Sequence, residues 1–176
     1  ACNMNLLGTH DTPRILTALV DDFDGSREEK AKRHLSRHNL EVARQHTHRK
    51  LMCVIKGDAH GHGAVECGRA LENAGVDAFA VACLEEGIAL RQGGITRPIL
   101  VLGWTDPALA SQLTAHSLAQ SVFDEGYAQA LSAQGTPLDI HIKLDTGMSR
   151  IGFPCTEEAA KQIAEAASLP GLIPEG

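Results

Sequence analysis

Leu51-Met52-Cys53-Val54-Ile55-Lys56-Gly57-Asp58-Ala59-His60-Gly61-His62-Gly63 decides how this chain is read. Apolar residues run up to a lysine, and a polar turn broken by glycines follows. A short apolar run bounded by glycine predicts a buried strand over 51–56. A lysine at the carboxyl end of such a strand can project its amine into a pocket built from loops. Burial depresses an amine's pKa, and a neutral amine condenses with an aldehyde to form a Schiff base. The plainer alternative is a strand-end lysine that snorkels to solvent. Two features weigh against it here. The glycines let backbone approach a ligand closely, and the strand-to-polar-loop pattern recurs downstream.

The recurrence is Asp139-Ile140-His141-Ile142-Lys143-Leu144-Asp145-Thr146-Gly147-Met148-Ser149-Arg150-Ile151-Gly152-Phe153. Alternation over 138–144 predicts a strand with Ile140, Ile142 and Leu144 on one face and His141 and Lys143 on the other. Arg150 then falls on the loop just beyond it. Asp145-Thr146-Gly147-Met148 is expected to set the turn that positions Arg150, with packing as an equal alternative for Met148.

From Lys50 onward, short β-like runs alternate with amphipathic stretches. Strands are expected at 51–56, 77–82, 98–102, 119–123 and 138–144, and helices at 64–74, 84–92, 107–115, 125–134 and 156–168. Strands that alternate with helices in this way imply a parallel sheet and an α/β fold. Asp106 before Pro107 reads as an N-cap with proline at the first helical position, and Thr156 before Glu157 and Glu158 reads as another. Glu85 and Glu86 open a helix, where acids are favoured, so helix-end electrostatics suffices to explain them. Ser26-Arg27-Glu28-Glu29 is a capping-box signal for a leading helix that runs to about Arg44. Residues 1–25 read as an extension of uncertain structure, in which Arg14 to Val20 is a candidate strand.

The 176 residues suit one domain with a substantial core, and a net charge of −6 with a pI near 5.8 argues against nucleic-acid and anionic-membrane surfaces. Aromatic residues make up 3% of the chain, which disfavours base stacking as well. No apolar stretch approaches the length of a bilayer span. The five cysteines, at 2, 53, 67, 83 and 155, form no C-x-x-C pair. They point to reduced thiols and a cytoplasmic location. The nine histidines include the close pairs His34/His38, His46/His48 and His60/His62, none with further ligands at a recognised metal spacing. No metal is expected.

Together, KGDAHGHG and HIKLDTGMSRIGF resemble the two signatures of alanine racemase, a pyridoxal-phosphate (PLP) enzyme built on a (β/α)8 barrel. FAVACLEEGIALRQGG and PILVLGW between them are similar to that family's second and third βα units. The likeness runs from about residue 35 to Gly176. It implies PLP as cofactor, alanine as substrate, a homodimer, and a role in making D-alanine for the cell wall. Lys56 matches the lysine that carries PLP as a Schiff base and then serves as one of two bases at the substrate α-carbon. Arg150 matches the arginine that contacts the cofactor's phenolic oxygen and the substrate carboxylate. Lys143 matches a lysine that many relatives carry as a carbamate, an anion able to position that arginine. His60 departs from the pattern, which has a tyrosine reaching the cofactor phosphate. A histidine offers a ring nitrogen instead, with a shorter reach and a charge that changes with pH. Gly57 departs too, from alanine.

A full barrel needs eight strands and about 250 residues. The expectation is therefore a partial (β/α)8 barrel of about five parallel βα units plus the leading helix, with residues 26–176 an incomplete PLP-binding domain. The resemblance assigns the second base to a tyrosine from a C-terminal β-domain of the partner subunit, and Tyr127 stands in the wrong context for it. This chain alone is expected to be inactive as a racemase. Other readings stand beside this one. They are a non-catalytic remnant that binds PLP or associates through open sheet edges, and a serine racemase or D-amino-acid dehydratase of the same barrel type.

Overall fold

In the computed structural model, residues 5–7 and 49–176 are described. They fall into two units, one ending at Ile99 and the other running over Leu100–Gly176. The expected leading helix at 26–44 and the candidate strand at 14–20 lie outside the described residues.

The first unit is laid on strands β1 (Asn5–Leu7), β2 (Leu51–Val54) and β3 (Ala78–Val81). β1 was not expected; it pairs parallel to β2 with Asn5 opposite Leu51. β2 pairs parallel to β3 with Met52 opposite Ala78. Every residue of β3 is buried, as a parallel strand covered on both faces requires. Helix α1 (Ala64–Asn73) follows β2 and helix α2 (Leu84–Gln92) follows β3. Leu51, Met52, Phe79, Leu90, Ile95 and Ile99 are fully buried, each contributing roughly 1.5–3 kcal/mol through area removed from water. Polar side chains fasten the connections. Asp77 Oδ2 accepts from Leu51 N at 2.8 Å, and Glu72 Oε1 accepts from Thr96 N, Thr96 Oγ1 and Arg97 N at 3.0, 2.7 and 2.9 Å.

Strand β4 (Ile99–Val101) leads into the second unit, where the strand order is β4, β5 (Leu118–Val122), β6 (Leu138–Ile142) and β9 (Leu172–Pro174). β6 lies parallel to both β5 and β9. β9 is a sixth strand start beyond the five expected βα units. The helix expected over 107–115 begins as a 3-10 turn (Pro107–Leu109), capped by Asp106 at 3.0 Å from Ala108 N, and only then becomes α3 (Ala110–Ala115). Proline fits the tight first turn because its missing N–H would have had no partner there. Helices α4 (Glu125–Ser132) and α5 (Glu157–Ala167) are capped by Asp124 and Thr156. Leu113, Leu118, Leu131, Leu138 and Ile140 form this unit's core.

Between β6 and α5, two-residue strands β7 (Leu144–Asp145) and β8 (Phe153–Pro154) pair in parallel. The strand expected over 138–144 therefore stops at Ile142. Ile140 is fully buried, but Leu144 is half exposed, so the alternation read from the sequence breaks at Lys143.

Candidate active site

Lys56 lies two residues past the end of β2 and is half-buried, while Ile55 before it is buried. The backbone then turns left-handed. Gly57, Asp58, Ala59 and His60 take φ values of 61°, 53°, 52° and 57°, with ψ between 35° and 46°. Only Gly57 is free of the steric penalty; for the three residues with a Cβ it is about 1–2 kcal/mol each. The sequence led us to expect a glycine-broken loop, and a turn that forces three side-chain-bearing residues into this region was not foreseen.

Hydrogen bonds hold the turn. Ala59 N donates to Ile55 O at 2.9 Å, and His62 N and Gly63 N both donate to Asp58 O at 3.0 Å. Asp58 Oδ1 accepts from Ala64 N at 2.7 Å, tying the turn to the start of α1. The His62 ring meets Ala59 O through Nδ1 at 2.8 Å, so His62 shapes the loop. His60 is exposed on the same turn. The least foreseen contact comes from α2. Glu86 Oε1 accepts from Gly57 N and Oε2 from Ala82 N, both at 2.7 Å. Nothing in the sequence separates Glu86 from Glu85, which stays exposed with its carboxylate turned back on its own helix start and Cys83.

The second cluster is the loop that hangs from β7 and β8. Lys143 is half-buried; its N–H donates to Val122 O and its carbonyl accepts from Phe153 N, both at 2.8 Å. Asp145 Oδ1 accepts from Gly147 N at 3.0 Å and Ser149 N at 2.9 Å, and these amides hold its carboxyl below the usual carboxylate range. Gly152 has φ 138°, and a Cβ there would lie 2.7 Å from Asp145 N, so glycine is what lets the strand pair close. Arg150 is exposed on this loop. So is Met148, at 62% exposure.

Tyr127 has a different task. Its hydroxyl donates to Thr105 O at 2.9 Å and accepts from Thr105 N at 3.1 Å. Burial pushes the phenol up to about 12 against the lowering effect of those bonds. Thr105 Oγ1 donates to Gln120 Oε1 at 2.7 Å, and Gln120 Nε2 donates to Gly103 O at 2.7 Å. This buried network fastens the loop after β4. Among the described residues Cys67, Cys83 and Cys155 are free thiols, and burial raises Cys67 and Cys83 above the ordinary thiol value. Among the described residues no group of three or more metal-ligating side chains converges, and no helix is long and apolar enough to cross a membrane.

Residues 34–176 match the family model described as alanine racemase, N-terminal domain. The chain belongs to the alanine racemase family. Alanine racemase 1 of Caldanaerobacter subterraneus subsp. tengcongensis is 47% identical over 131 residues, 72% of this chain and 34% of that protein. A serine/alanine racemase of Enterococcus gallinarum is 45% identical over 127 residues, 72% of this chain and 18% of that protein. In structure, the alanine racemase of Clostridium difficile 630 in complex with cycloserine superposes with a TM-score of 0.68 at 41% identity, over 72% of this chain and 36% of that one. The fold is thus α/β, a partial (β/α)8 barrel. The chain spans about a third of the length of the first relative and less of the second.

Proposed function

We propose that this chain is the PLP-binding N-terminal part of an amino-acid racemase that interconverts L- and D-alanine, with residues 26–176 as the barrel domain. The observation that carries the proposal is the half-buried Lys56 at the carboxyl end of β2, with its following peptide fixed in a left-handed turn. Ligands of parallel α/β folds meet the carboxyl ends of strands, and a lysine held there on a rigid element is an aimed amine.

The donor set fits PLP. Lys56 offers a primary amine for covalent attachment to an aldehyde, the exposed His60 a ring nitrogen for phosphate, and the exposed Arg150 a guanidinium for a phenolate or carboxylate oxygen. When bound, PLP supplies an electron sink that acidifies the α-hydrogen of an amino acid. Lys56 Nζ would take or return that proton on one face of the α-carbon. The Arg150 fork suits the substrate carboxylate, which it can meet with two parallel hydrogen bonds. Lys143, as a carbamate, would be an anion able to hold that guanidinium in place. Inversion needs a second acid–base group on the opposite face. Tyr127 is the chain's single tyrosine, and its hydroxyl donates to Thr105 O and accepts from Thr105 N. The family likeness assigns that second base to a tyrosine of a partner subunit in a homodimer.

Serine is the second substrate reading, favoured by the 45% identity to a serine/alanine racemase. The test of the common core is to mix the purified chain with PLP, reduce with borohydride and map the peptides. A pyridoxyl group confined to Lys56 supports the proposal. No adduct, or adducts scattered over surface lysines, sinks it.

A further inference from the structure

We infer that Glu86 is a positioning residue for Lys56, acting through the Gly57 amide. The inference rests on the reading of Lys56 as the PLP lysine. Glu86 is half-buried in the first turn of α2, and its carboxylate spans two backbone N–H groups 25 residues apart in sequence, Gly57 and Ala82. The first belongs to the peptide immediately after Lys56, and the second lies just past the end of β3. Fixing the Gly57 N–H fixes the plane of that peptide, hence ψ of Lys56 and the direction in which its side chain leaves the strand. The same bond lies at the point where the chain changes hand, since Gly57 is the first residue with positive φ.

A carboxylate suits this task because it has two acceptor oxygens and no donor, and bonds to an ionised acceptor are roughly twice as strong as neutral ones. A glutamine in its place keeps one acceptor oxygen and sets its NH2 against the other N–H. One of the two amides is then left facing a donor. Three side-chain-bearing residues stand in a disfavoured region directly downstream, so weakening the anchor lets the turn relax and the amine swing.

The test uses the full 176-residue chain in wild-type, Glu86→Gln and Glu85→Gln forms. Each is mixed with PLP, reduced with borohydride and mapped, and amide exchange is followed at Gly57 and Ala82 without PLP. Glu86→Gln is expected to lower labelling of Lys56 about tenfold, as loss of one charge-assisted bond implies, and to speed exchange at Gly57 or Ala82. Glu85→Gln is expected to change neither. Equal labelling of Lys56 in wild type and Glu86→Gln overturns the inference while leaving the PLP reading intact. A wild type that does not label Lys56 overturns both, and faster exchange in Glu86→Gln would then mark a purely structural clamp. Should Glu86→Gln not fold by circular dichroism, the wild-type Gly57 amide decides. Slow exchange there supports the anchor, and exchange as fast as in an unfolded chain refutes it.

Discussion

Replacing Tyr127 with phenylalanine isolates one hydroxyl. The ring stays, and with it the stacking on Phe123, whose centroid lies 4.8 Å away at an interplanar angle of 14°. What is lost is a donor to Thr105 O and an acceptor for Thr105 N, in a place where Thr105 is only 4% exposed. Each orphaned buried group costs about 1–3 kcal/mol, so at neutral pH the variant should be less stable by about 2–6 kcal/mol. The gap should also depend on pH. Burial raises the phenol from its ordinary 10.0 to about 12, so above pH 10 the unfolded chain ionises first and binds fewer protons than the folded one. The stability that the neutral hydroxyl contributes is therefore complete below the unfolded value and declines as pH rises toward the folded one. Linkage gives a loss of roughly 1 kcal/mol at about pH 11 and roughly 3 kcal/mol once both states are ionised. Phenylalanine has nothing to titrate, so the gap between the two proteins should narrow by those amounts. Urea unfolding followed by far-ultraviolet circular dichroism, at neutral pH and at about pH 11, measures it. Equal midpoints at neutral pH, or a gap that widens in alkali, would refute the reasoning.

Two further outcomes concern the loop that carries Arg150. Gly152→Ala places a methyl 2.7 Å from Asp145 N and 2.9 Å from Leu144 C at a φ of 138°, and should cost about 1–3 kcal/mol of stability and open the β7–β8 pair. An unchanged melting temperature with unchanged amide protection at Phe153 would show that the pair does not depend on glycine. The Asp145 carboxyl, followed by NMR, should titrate below the ordinary 3.8, with the Gly147 and Ser149 amide shifts moving at the same midpoint. Its folded value is lowered, so its contribution is present above the ordinary value and is lost as pH falls through the lowered one. A midpoint at or above 3.8 would mean that those amides do not donate to it.

Much of the fold was legible because the signals are local. The runs at 51–56, 77–82 and 98–102 became strands shortened by two residues each, since an apolar run marks burial but not where pairing stops. Asp106 and Thr156 cap as read, because a cap needs only a side chain and an amide two or three residues away. The candidate site was legible only as residue types and order: a lysine two residues past β2, an arginine on the loop beyond β6. What escaped depends on groups far apart in the chain. Gly57 and Glu86 are 29 residues apart, and no spacing rule joins them. The β7–β8 pair is two residues long, too short to carry a period, and it turned Leu144 and Met148 toward solvent where alternation and packing had suggested otherwise. The left-handed turn escaped for a different reason. Asp58, Ala59 and His60 have no special claim on positive φ as a trio, and only surrounding bonds impose it.

That turn has a consequence for chirality. At Ala59 an L-residue sits at φ 52° and ψ 45°, a basin that is the mirror image of the one L-residues prefer. The stereoisomer at home there is D-alanine. Introduced by chemical synthesis at this one position, it would leave the backbone trace and the Ala59 N to Ile55 O bond in place and relieve the clash of Cβ with its own carbonyl. Its methyl would point where the α-hydrogen now lies. Three residues past Lys56, the chain thus holds a backbone shaped for a D-residue.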